Sequence, residues 1–541
     1  MSKCGFATLL IPKGHVGGPF VALGGGRRTR RPGGAVDPCG RIARLDTTLT
    51  QAPGRRFASG LPALLATGAL VWTLAAWLSR GNLDFAGDMV ENYAWGIEWQ
   101  GGYSKHPPLF AWIAAAWFSV LPRSDLAYFA LSALNAALGL LGVAALARRY
   151  LSDQGAAFAA LALGVSPLYT GLAIKFNANA VLLSLWPWTA YFFVAYMQTG
   201  ARRFAAACGA FAALSMLGKY FSGVLILALC LAAVAVPAFR RRLQGAGPWL
   251  AIATGLLVLT PHLLWMIDHQ FSSLRFASQR SNGQLLPALL RLLNYTVAQV
   301  GYLLPSAIFL LWSVAPARRR EALRLIWRAL LRPNLHPPLW WLAFAPMIAV
   351  AAIAVALRAP MASVWGMAQW FAVTALWLAV FERHGIAPRW DWLRRAMPVV
   401  WGLVIAGSLV LGYHDARRGT ALASEPRAEL AQAVHQLWRE QTGRPLVWVG
   451  GPQEQAASIV FYGPAGAHWW NLAAPGATPW FSDADLRRDG SVLVCAQADV
   501  DCERQAQAHV AAPPVIINIH KRAWGFDLPA HRYRIYLILP T

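Results

Sequence analysis

Charged residues are scarce in this chain of 541 residues, and acidic residues are the scarcest. Asp, Glu, Lys and Arg together make up 13% of the sequence, with 24 acidic against 48 basic residues. Soluble globular proteins usually carry about 25% charged residues, so this class of protein is excluded. Because 57% of the residues are also hydrophobic, the composition predicts an integral membrane protein.

Cysteine is also rare, and none of the six cysteines forms a CxxC or HxxC pattern. The common zinc-binding spacings are therefore absent from the sequence. Cys495 and Cys502 lie seven residues apart in a polar segment. They are predicted to form a disulfide if that segment faces an oxidising compartment.

The net charge of +24 raises the question of nucleic-acid binding, but the distribution of the charge argues against it. The basic residues lie in short clusters between apolar runs, as in the cytoplasmic loops of a protein with many membrane crossings. No nucleic-acid partner is therefore expected. The clusters are Arg148 and Arg149, Arg202 and Arg203, Arg240 to Arg242, Arg318 to Arg320, and the arginines between Arg383 and Arg395.

Apolar runs of roughly 15 to 23 residues, long enough to cross a bilayer core of about 30 Å, recur from Leu61 onward. They predict about eleven crossings, near 61–79, 126–147, 156–172, 180–197, 204–218, 220–236, 249–266, 292–314, 339–357, 362–381 and 397–412. The run 107–122 is interpreted as a re-entrant or interfacial helix. If it crossed, Arg148 and Arg149 and every later basic loop would face the outside, against the positive-inside rule.

The predicted fold class is a polytopic α-helical membrane protein with a small C-terminal α/β domain. Residues 1–56 are predicted to be a disordered basic cytoplasmic tail, and residues 57–413 a transmembrane catalytic domain. Residues 414–541 change composition, with a polar helix (AELAQAVHQLWREQ) and short apolar strands (PLVWVGG, SVLVCA, VIINI, YRIYLIL). An odd number of crossings places this domain outside, on the same side as the first loop, 80–108.

That first loop contains the stretch DFAGDMVENYAWGIEWQGGYSKHPPL, in which acidic, aromatic and basic residues crowd together. If residues 88–99 are helical, five side chains share one face, because their spacings are 3, 4, 7 and 11. They are Asp88, Glu91, Asn92, Trp95 and Trp99. A non-catalytic interpretation is also open, since Trp and Tyr are enriched at every membrane interface. The acids argue against it, because a chain with so few carboxylates places three of them in this one short helix.

Three further polar marks lie at the predicted outer ends of spans. They are Lys175 with Asn177 and Asn179, Lys219 with Tyr220, and His262 with Asp268. Ionisable groups near membrane depth are costly and tend to mark functional sites. Together with Asp88 and Lys105 they predict one shared outer cavity, although each lysine alone is also consistent with a snorkelling side chain.

These motifs resemble a known family. GDMVENYAWGIEW, GGY and KHPPLFAW, followed by SPLY, KFNAN, LLSLWPW, LGKY and TPHLLW, are similar to bacterial membrane glycosyltransferases of family 39 in the GT-C superfamily. Relatives include the aminoarabinose transferase of lipid A and the protein O-mannosyltransferases. The resemblance covers roughly residues 60–280. It implies transfer of a sugar from a polyprenyl-phosphate donor to an acceptor on the periplasmic face of a bacterial inner membrane, where the acceptor is lipid A, another envelope glycan or a protein.

The resemblance also assigns roles to residues. The family's first-loop acid matches Asp88, which would act as the base, with Glu91 as the nearest second carboxylate. Met89 stands where relatives carry a second acid, and Asn179 replaces the acid common in their second loop. A metal held between two loop acids is therefore disfavoured, so no metal ligand and no cofactor is predicted, although the metal requirement stays open.

The departing phosphate needs cations and the sugar needs flat apolar faces. Lys105, Lys219 and His262 are predicted to supply the first, and Trp95, Trp99 and Tyr103 the second. The remaining predicted donor-binding residues are His106, Asn177, Asn179 and Tyr220. Two other functions stay open at this point. A transporter or flippase of a lipid-linked sugar would use the same residues only to bind, and a catalytically inactive scaffold would bind a partner through its outer domain.

Overall fold

The computed structural model describes residues 60–278, 283–359 and 361–541. The tail predicted for residues 1–56 lies outside the described residues. Among the described residues, six helices are long and apolar enough to cross a membrane, or seven if the bent pair Tyr220–Ala235 and Pro237–Leu243 counts as one span. The chain is thus an α-helical membrane protein, as its composition predicts, while the count of eleven crossings stays a prediction.

The six helices of membrane-spanning length are α1 Gly60–Ser79, α4 Asp125–Ala147, α10 Gly247–Asp268, α12 Leu285–Ser313, α14 Pro337–Ala356 and α16 Trp390–Arg418. The shorter helices between them are α2 Asp88–Gly96, α3 Leu109–Val120, α5 Asp153–Gly164, α6 Leu182–Thr199, α7 Arg202–Gly218, α8 Gly223–Ala235, α9 Pro237–Leu243, α11 Ser272–Ser278, α13 Arg319–Leu331 and α15 Val373–Arg383. Short 3₁₀ turns lie at Tyr220–Ser222, Pro316–Arg318, Pro333–Leu335 and Ser363–Gly366.

Three predicted helical runs are shorter than expected. The run 156–172 is α-helical only to Gly164, and the run 362–381 becomes α-helical only at Val373. Gly, Pro and Ser at 164–167 interrupt the first run, which explains its early end. The first-loop helix ends at Gly96, three residues before the predicted Trp99, which has a positive φ of 47°.

The apolar run after the first loop forms α3, which has 12 residues. At 1.5 Å per residue it is roughly 18 Å long, too short for a bilayer core. This length agrees with the re-entrant or interfacial interpretation. The predicted crossings 204–218 and 220–236 are separated by a break in the helix, since α7 ends at Gly218 and Lys219 is extended before the 3₁₀ turn.

The C-terminal segment forms the predicted small α/β fold. Its elements are α17 Ala421–Ser424, α18 Arg427–Thr442, β1 Trp448–Gly451, α19 Gln453–Tyr462, β2 His468–Asn471, α20 Asp483–Asp489, β3 Ser491–Ala496, α21 Val500–Gln507, β4 Val515–Ile519, β5 Arg522–Ala523, β6 Phe526–Asp527 and β7 His531–Ile538, with a 3₁₀ turn at Pro475–Ala477. The five-stranded sheet has the order β2-β1-β3-β7-β4, and β5 and β6 form a separate ribbon. Strands β1, β2 and β3 are parallel, whereas β7 is antiparallel to both β3 and β4. Of the five strands, only β2 (HWWN) is missing from the sequence prediction. The boundary predicted between residues 413 and 414 falls inside α16, which is one continuous helix, so the division into two domains stays a prediction.

Helix α19 packs the α/β fold against the first loop and the helices that follow it. Phe461 is fully buried and lies among the rings of Tyr93, Phe118 and Tyr128, with centroids 5.1 to 5.6 Å away. Edge-to-face aromatic pairs at such distances add about 0.5–1.5 kcal/mol each beyond the area they bury. The Tyr462 hydroxyl donates to Asp125 at 2.6 Å. The C-terminal residues therefore help to hold the first loop in place.

The disulfide predicted between Cys495 and Cys502 is present, with the Cα atoms 5.6 Å apart. It joins the end of β3 to α21 and packs in a small core with Trp470 and Tyr536. We expect the purified protein to carry this bond, because both sulfurs are buried together. Mass spectrometry after alkylation without reductant should leave both cysteines unlabelled. Cys208, which is unbridged, is the control to be labelled after unfolding, and two labelled thiols at 495 and 502 would contradict the expectation.

Candidate active site

Helix α2 begins at Asp88 because two groups before it favour a helix start. Gly87 adopts a left-handed conformation with φ 70°, which glycine tolerates without a Cβ clash. The Asp84 carboxylate accepts a hydrogen bond from the Asp88 backbone N–H at 2.9 Å. Asp88 and Glu91 then occupy the first turn, where the helix dipole favours negative charge. The local sequence therefore presents two carboxylates at the positive end of a short helix.

Lys175 joins Asp84 and Asp88. Its ammonium lies 3.0 Å from Asp84 and 2.8 Å from Asp88, and the Asn177 amide donates to Asp88 at 3.4 Å. Burial lowers the pKa of Lys175, but the two carboxylates more than offset this, so the pKa is raised overall. The Asp84 side chain is 2% exposed and that of Asp88 is 36% exposed. Of these two carboxylates, only Asp88 is therefore accessible from outside the protein. Asp84 holds the helix start and the lysine.

Asp84 also faces a buried arginine of the C-terminal segment. Arg427 is 2% exposed, pairs with Glu454 at 2.6 Å and lies 3.8 Å from Asp84. Burial lowers the pKa of Arg427, but the pairing with Glu454 and Asp84 outweighs that effect and raises it. A buried charge of this kind is stable only while its partners are present. Arg427 thus connects the α/β fold to the acid that supports Asp88.

Glu91 forms a second connection to the same fold. Its carboxylate accepts from the Lys105 ammonium at 2.6 Å, and Lys105 also donates to the Gln453 side chain at 2.8 Å. Burial raises the pKa of Glu91 to about 7, against the opposing effect of Lys105. Glu91 therefore changes protonation state near neutral pH. Gln453 begins α19, so a residue that the sequence did not assign to the site completes this contact.

The last acid of the first loop, Glu98, contacts the C-terminal segment rather than the site. Glu98 accepts a hydrogen bond from His468 Nδ1 at 2.7 Å. This bond raises the pKa of His468 against the effect of burial. The four first-loop acids thus have different surroundings, and only Asp88 combines a lysine partner with substantial exposure.

The predicted roles of Trp95 and Tyr103 are not supported by their positions. Both side chains are buried and stack on each other, with centroids 5.0 Å apart and planes 6° apart. The Tyr103 hydroxyl donates to the Trp95 carbonyl at 2.7 Å. Because their faces cover each other, they stiffen the loop and offer no platform to a sugar. Trp99 remains 58% exposed and is the predicted aromatic residue that stays accessible.

A second group of polar residues follows on from Asp88. Asn177 Oδ1 accepts from the backbone N–H of Asn179 at 2.9 Å, and Asn179 Oδ1 accepts from the Lys219 ammonium at 2.5 Å. The Lys219 ammonium also lies 4.8 Å from the centre of the Trp365 ring. The residues from Asp88 to Lys219 are thus joined by direct contacts. Such contacts could not form if residues 107–122 separated them by a membrane, while the shared outer cavity itself stays a prediction.

His262 is placed differently from the prediction. It is 2% exposed, its Nδ1 lies 2.7 Å from the Gly101 carbonyl and its Nε2 lies 2.8 Å from the Tyr220 hydroxyl. Since a carbonyl only accepts, Nδ1 carries a proton and donates to Gly101, while the Tyr220 hydroxyl also lies 2.6 Å from the Ser273 hydroxyl. Both ring nitrogens are therefore occupied by protein groups. His262 fastens α10 to the first loop instead of binding a phosphate.

His106 lies beside Lys105 and packs its ring edge-on against Phe110, with centroids 5.8 Å apart. The sequence left Asp84, Arg427 and Gln453 unassigned to the site, and it marked Lys175 without giving it a role. Two of these residues could have been found from the sequence, because Asp84 opens the acidic stretch and Lys175 belongs to the motif KFNAN. Within the described ranges, no group of three or more His, Cys, Asp and Glu side chains is arranged to hold a metal ion.

Residues 105–265 match the sequence model of a family described as dolichyl-phosphate-mannose-protein mannosyltransferase. This match lies within residues 60–280, the part of the chain that carries the sequence resemblance. The matched stretch begins at Lys105 and includes Lys175, Asn179 and Lys219, which are the cationic and amide positions of the site. Asp88 and Glu91 lie just before it.

Two solved structures show a more distant likeness. One is ArnT from Cupriavidus metallidurans bound to undecaprenyl phosphate, with 16% identity, a TM-score of 0.47, and coverage of 88% of this chain and 98% of that chain. The other is the oligosaccharyltransferase AglB from Archaeoglobus fulgidus in complex with an inhibitory peptide and a dolichol-phosphate, with 12% identity, a TM-score of 0.41, and coverage of 84% and 71%. Among curated protein sequences, none matches this chain.

Proposed function

We propose that this protein transfers a sugar from a polyprenyl-phosphate donor to a hydroxyl or phosphate acceptor in the cell envelope. The observation that carries the proposal is the partly exposed Asp88 carboxylate beside Lys175, in a network that leads to Lys219. The matched family's description names a lipid-phosphate sugar donor and a protein acceptor. The acceptor here is a lipid A or other envelope glycan, or a protein.

In the proposed reaction, Asp88 accepts the acceptor's proton while the acceptor oxygen attacks the anomeric carbon of the sugar. The bond between that carbon and the phosphate oxygen breaks, and the lipid phosphate leaves with the electron pair. Lys219 and Lys105 are the cations that would stabilise the departing phosphate. Lys175 orients Asp88 through the ion pair between them at 2.8 Å.

The proposal includes a location. Residues 57–413 form the catalytic membrane domain with about eleven crossings, and residues 414–541 form the α/β domain that covers it on the periplasmic face of a bacterial inner membrane. The contacts of helix α2 support one common side, because its Asp88 contacts Asn177 and its Glu91 contacts Lys105, which also donates to the C-terminal Gln453. Some of the basic regions also contact one another, since Arg318 donates to the His384 carbonyl and Tyr150, next to Arg149, packs on His336.

Purified protein in liposomes should release free polyprenyl phosphate from a polyprenyl-phosphate sugar only when an acceptor is present. A comparison of lipid A and envelope glycans from cells with and without the gene would then identify the acceptor. Movement of the intact donor between leaflets, without release of polyprenyl phosphate, would replace the proposal with a transporter or flippase. If neither transfer nor transport is detected with a panel of donors, the inactive scaffold is favoured.

Lys219→Ala is expected to raise the KM for the lipid-phosphate donor, because desolvating an anionic phosphate near the membrane requires a fixed cation. A lost charged hydrogen bond of about 1.5–3 kcal/mol corresponds to roughly 10- to 150-fold. Lys219→Arg should restore part of the affinity, and Arg504→Ala on exposed α21 is the control. Lys105→Ala should act in the same direction, but it also leaves the buried Glu91 unpaired. An unchanged dependence of rate on donor concentration in Lys219→Ala would reduce this lysine to an interfacial anchor.

A further inference from the structure

Helix α13 is a short basic helix that the proposed reaction does not use. Residues 318–332, which include it, contain six arginines and one acidic residue, Glu321. Glu321 pairs with Arg318 at 2.7 Å. One acid against six arginines leaves this segment with a strong net positive charge.

One face of α13 is packed against the protein. Ala322, Leu325 and Ala329 are buried, at 0 to 2% exposed. The end of the helix is braced by Trp340, whose indole N–H donates to the Leu330 carbonyl at 3.1 Å. The orientation of the helix about its axis is therefore set by contacts.

The other faces of α13 form two adjacent rows. Arg320, Arg324 and Arg328 are exposed and spaced by four residues, so they follow one side of the helix within about 80°. Leu323, Trp327 and Leu331 are 45%, 60% and 74% exposed and form a second row about 60° away. An exposed apolar row beside a basic row is typical of helices that lie in the plane of a membrane surface.

The connections at both ends keep α13 at that surface. Helix α12 ends at Ser313 and helix α14 begins at Pro337, and both are long and apolar enough to span a membrane. The Arg319 guanidinium lies 4.8 Å from the ring centre of Trp312 in α12, and Trp312 is 55% exposed. Tryptophan at the end of a span is characteristic of the interface with the headgroups. With so few linking residues, the two rows must lie at headgroup level.

We propose that α13 binds anionic phospholipids, with Arg320, Arg324 and Arg328 contacting the phosphodiester headgroups. Leu323, Trp327 and Leu331 reach the acyl boundary beside them. Arginine suits this ligand because its guanidinium donates two parallel hydrogen bonds to phosphate oxygens. The apolar row distinguishes a lipid from a soluble acidic partner, which would leave these side chains in water. This binding surface is independent of the proposed glycosyl transfer.

The test is a titration of the full-length protein with phosphatidylglycerol, and with phosphatidylcholine as the neutral lipid, followed by native mass spectrometry. Each arginine near an anionic surface contributes roughly 5-fold to binding. The wild type is expected to prefer phosphatidylglycerol, and Arg320→Gln/Arg324→Gln/Arg328→Gln should lose about 100-fold of that affinity if the three contributions add. Changing the same residues to lysine should preserve most of the preference.

The matched control is Arg487→Gln/Arg522→Gln/Arg532→Gln, which removes the same charge from exposed sites of the C-terminal fold and should leave the preference unchanged. If the triple glutamine variant of α13 does not fold, Arg324→Gln alone should weaken phosphatidylglycerol binding about 5-fold. A wild type without preference, or equal losses in the α13 and control variants, would overturn the proposal. Binding retained in every α13 variant would do so as well.

Discussion

Asp88→Asn should abolish sugar transfer while the protein still folds and inserts into the membrane. The amide keeps the shape of the side chain but removes the negative charge that would accept the acceptor's proton. Loss of a general base typically costs about 10²- to 10⁴-fold in rate. The neighbouring Lys175 stays paired with the buried Asp84 at 3.0 Å, so the local structure should survive. The measurement is the turnover of the purified variant with a polyprenyl-phosphate sugar and its acceptor.

The control for this variant is Asp153→Asn, which removes an exposed carboxylate paired with Arg148 and should leave turnover within a factor of about two, since surface ion pairs contribute little. Glu91→Gln is expected to cost less than Asp88→Asn, because Glu91 is buried against Lys105. Near-normal turnover of Asp88→Asn would remove Asp88 from the mechanism.

Arg427→Met should lower the free energy of unfolding by about 3–5 kcal/mol, which is the usual cost of removing one partner from a buried ion pair. The substitution leaves the Glu454 carboxylate and the buried Asp84 without the guanidinium that now lies 2.6 Å and 3.8 Å away. Turnover should fall as well, because Asp84 holds the start of α2 at Asp88. Denaturant unfolding in mixed micelles, followed by tryptophan fluorescence, measures the stability change.

The comparison for Arg427→Met is Arg504→Met, which removes an arginine from a pair with Asp501 whose two side chains are 74% and 78% exposed. This exposed pair should contribute about 0–1 kcal/mol. Adding Glu454→Gln to Arg427→Met should recover part of the lost stability, because one uncompensated carboxylate disappears. Equal effects of the two methionine variants would show that Arg427 is not a buried electrostatic anchor.

Much of the site could be predicted because its charged residues differ from the apolar sequence around them. In an apolar chain, Asp88, Lys175 and Lys219 stand out at the ends of predicted spans. Because placing a charge near a membrane is costly, each of them is expected to have a function. The failures concern residues whose roles depend on what faces them. Trp95 and Tyr103 have the chemistry of a sugar platform, but they stack on each other. His262 has the chemistry of a phosphate ligand, but Gly101 and Tyr220 occupy its two nitrogens.

The sequence by itself determined the membrane class, the acidic first loop, the short helix α3, the disulfide and the α/β character of the C-terminal residues. These follow from composition, run length and spacing, which are local properties of the chain. Only the tertiary structure decided that Arg427 and Gln453 reach the first loop, more than 300 residues earlier in the chain. Only it separated the accessible Asp88 from the buried Asp84. The reason is physical: exposure and charge pairing are set by which distant segments pack together, and no spacing within one segment contains that information.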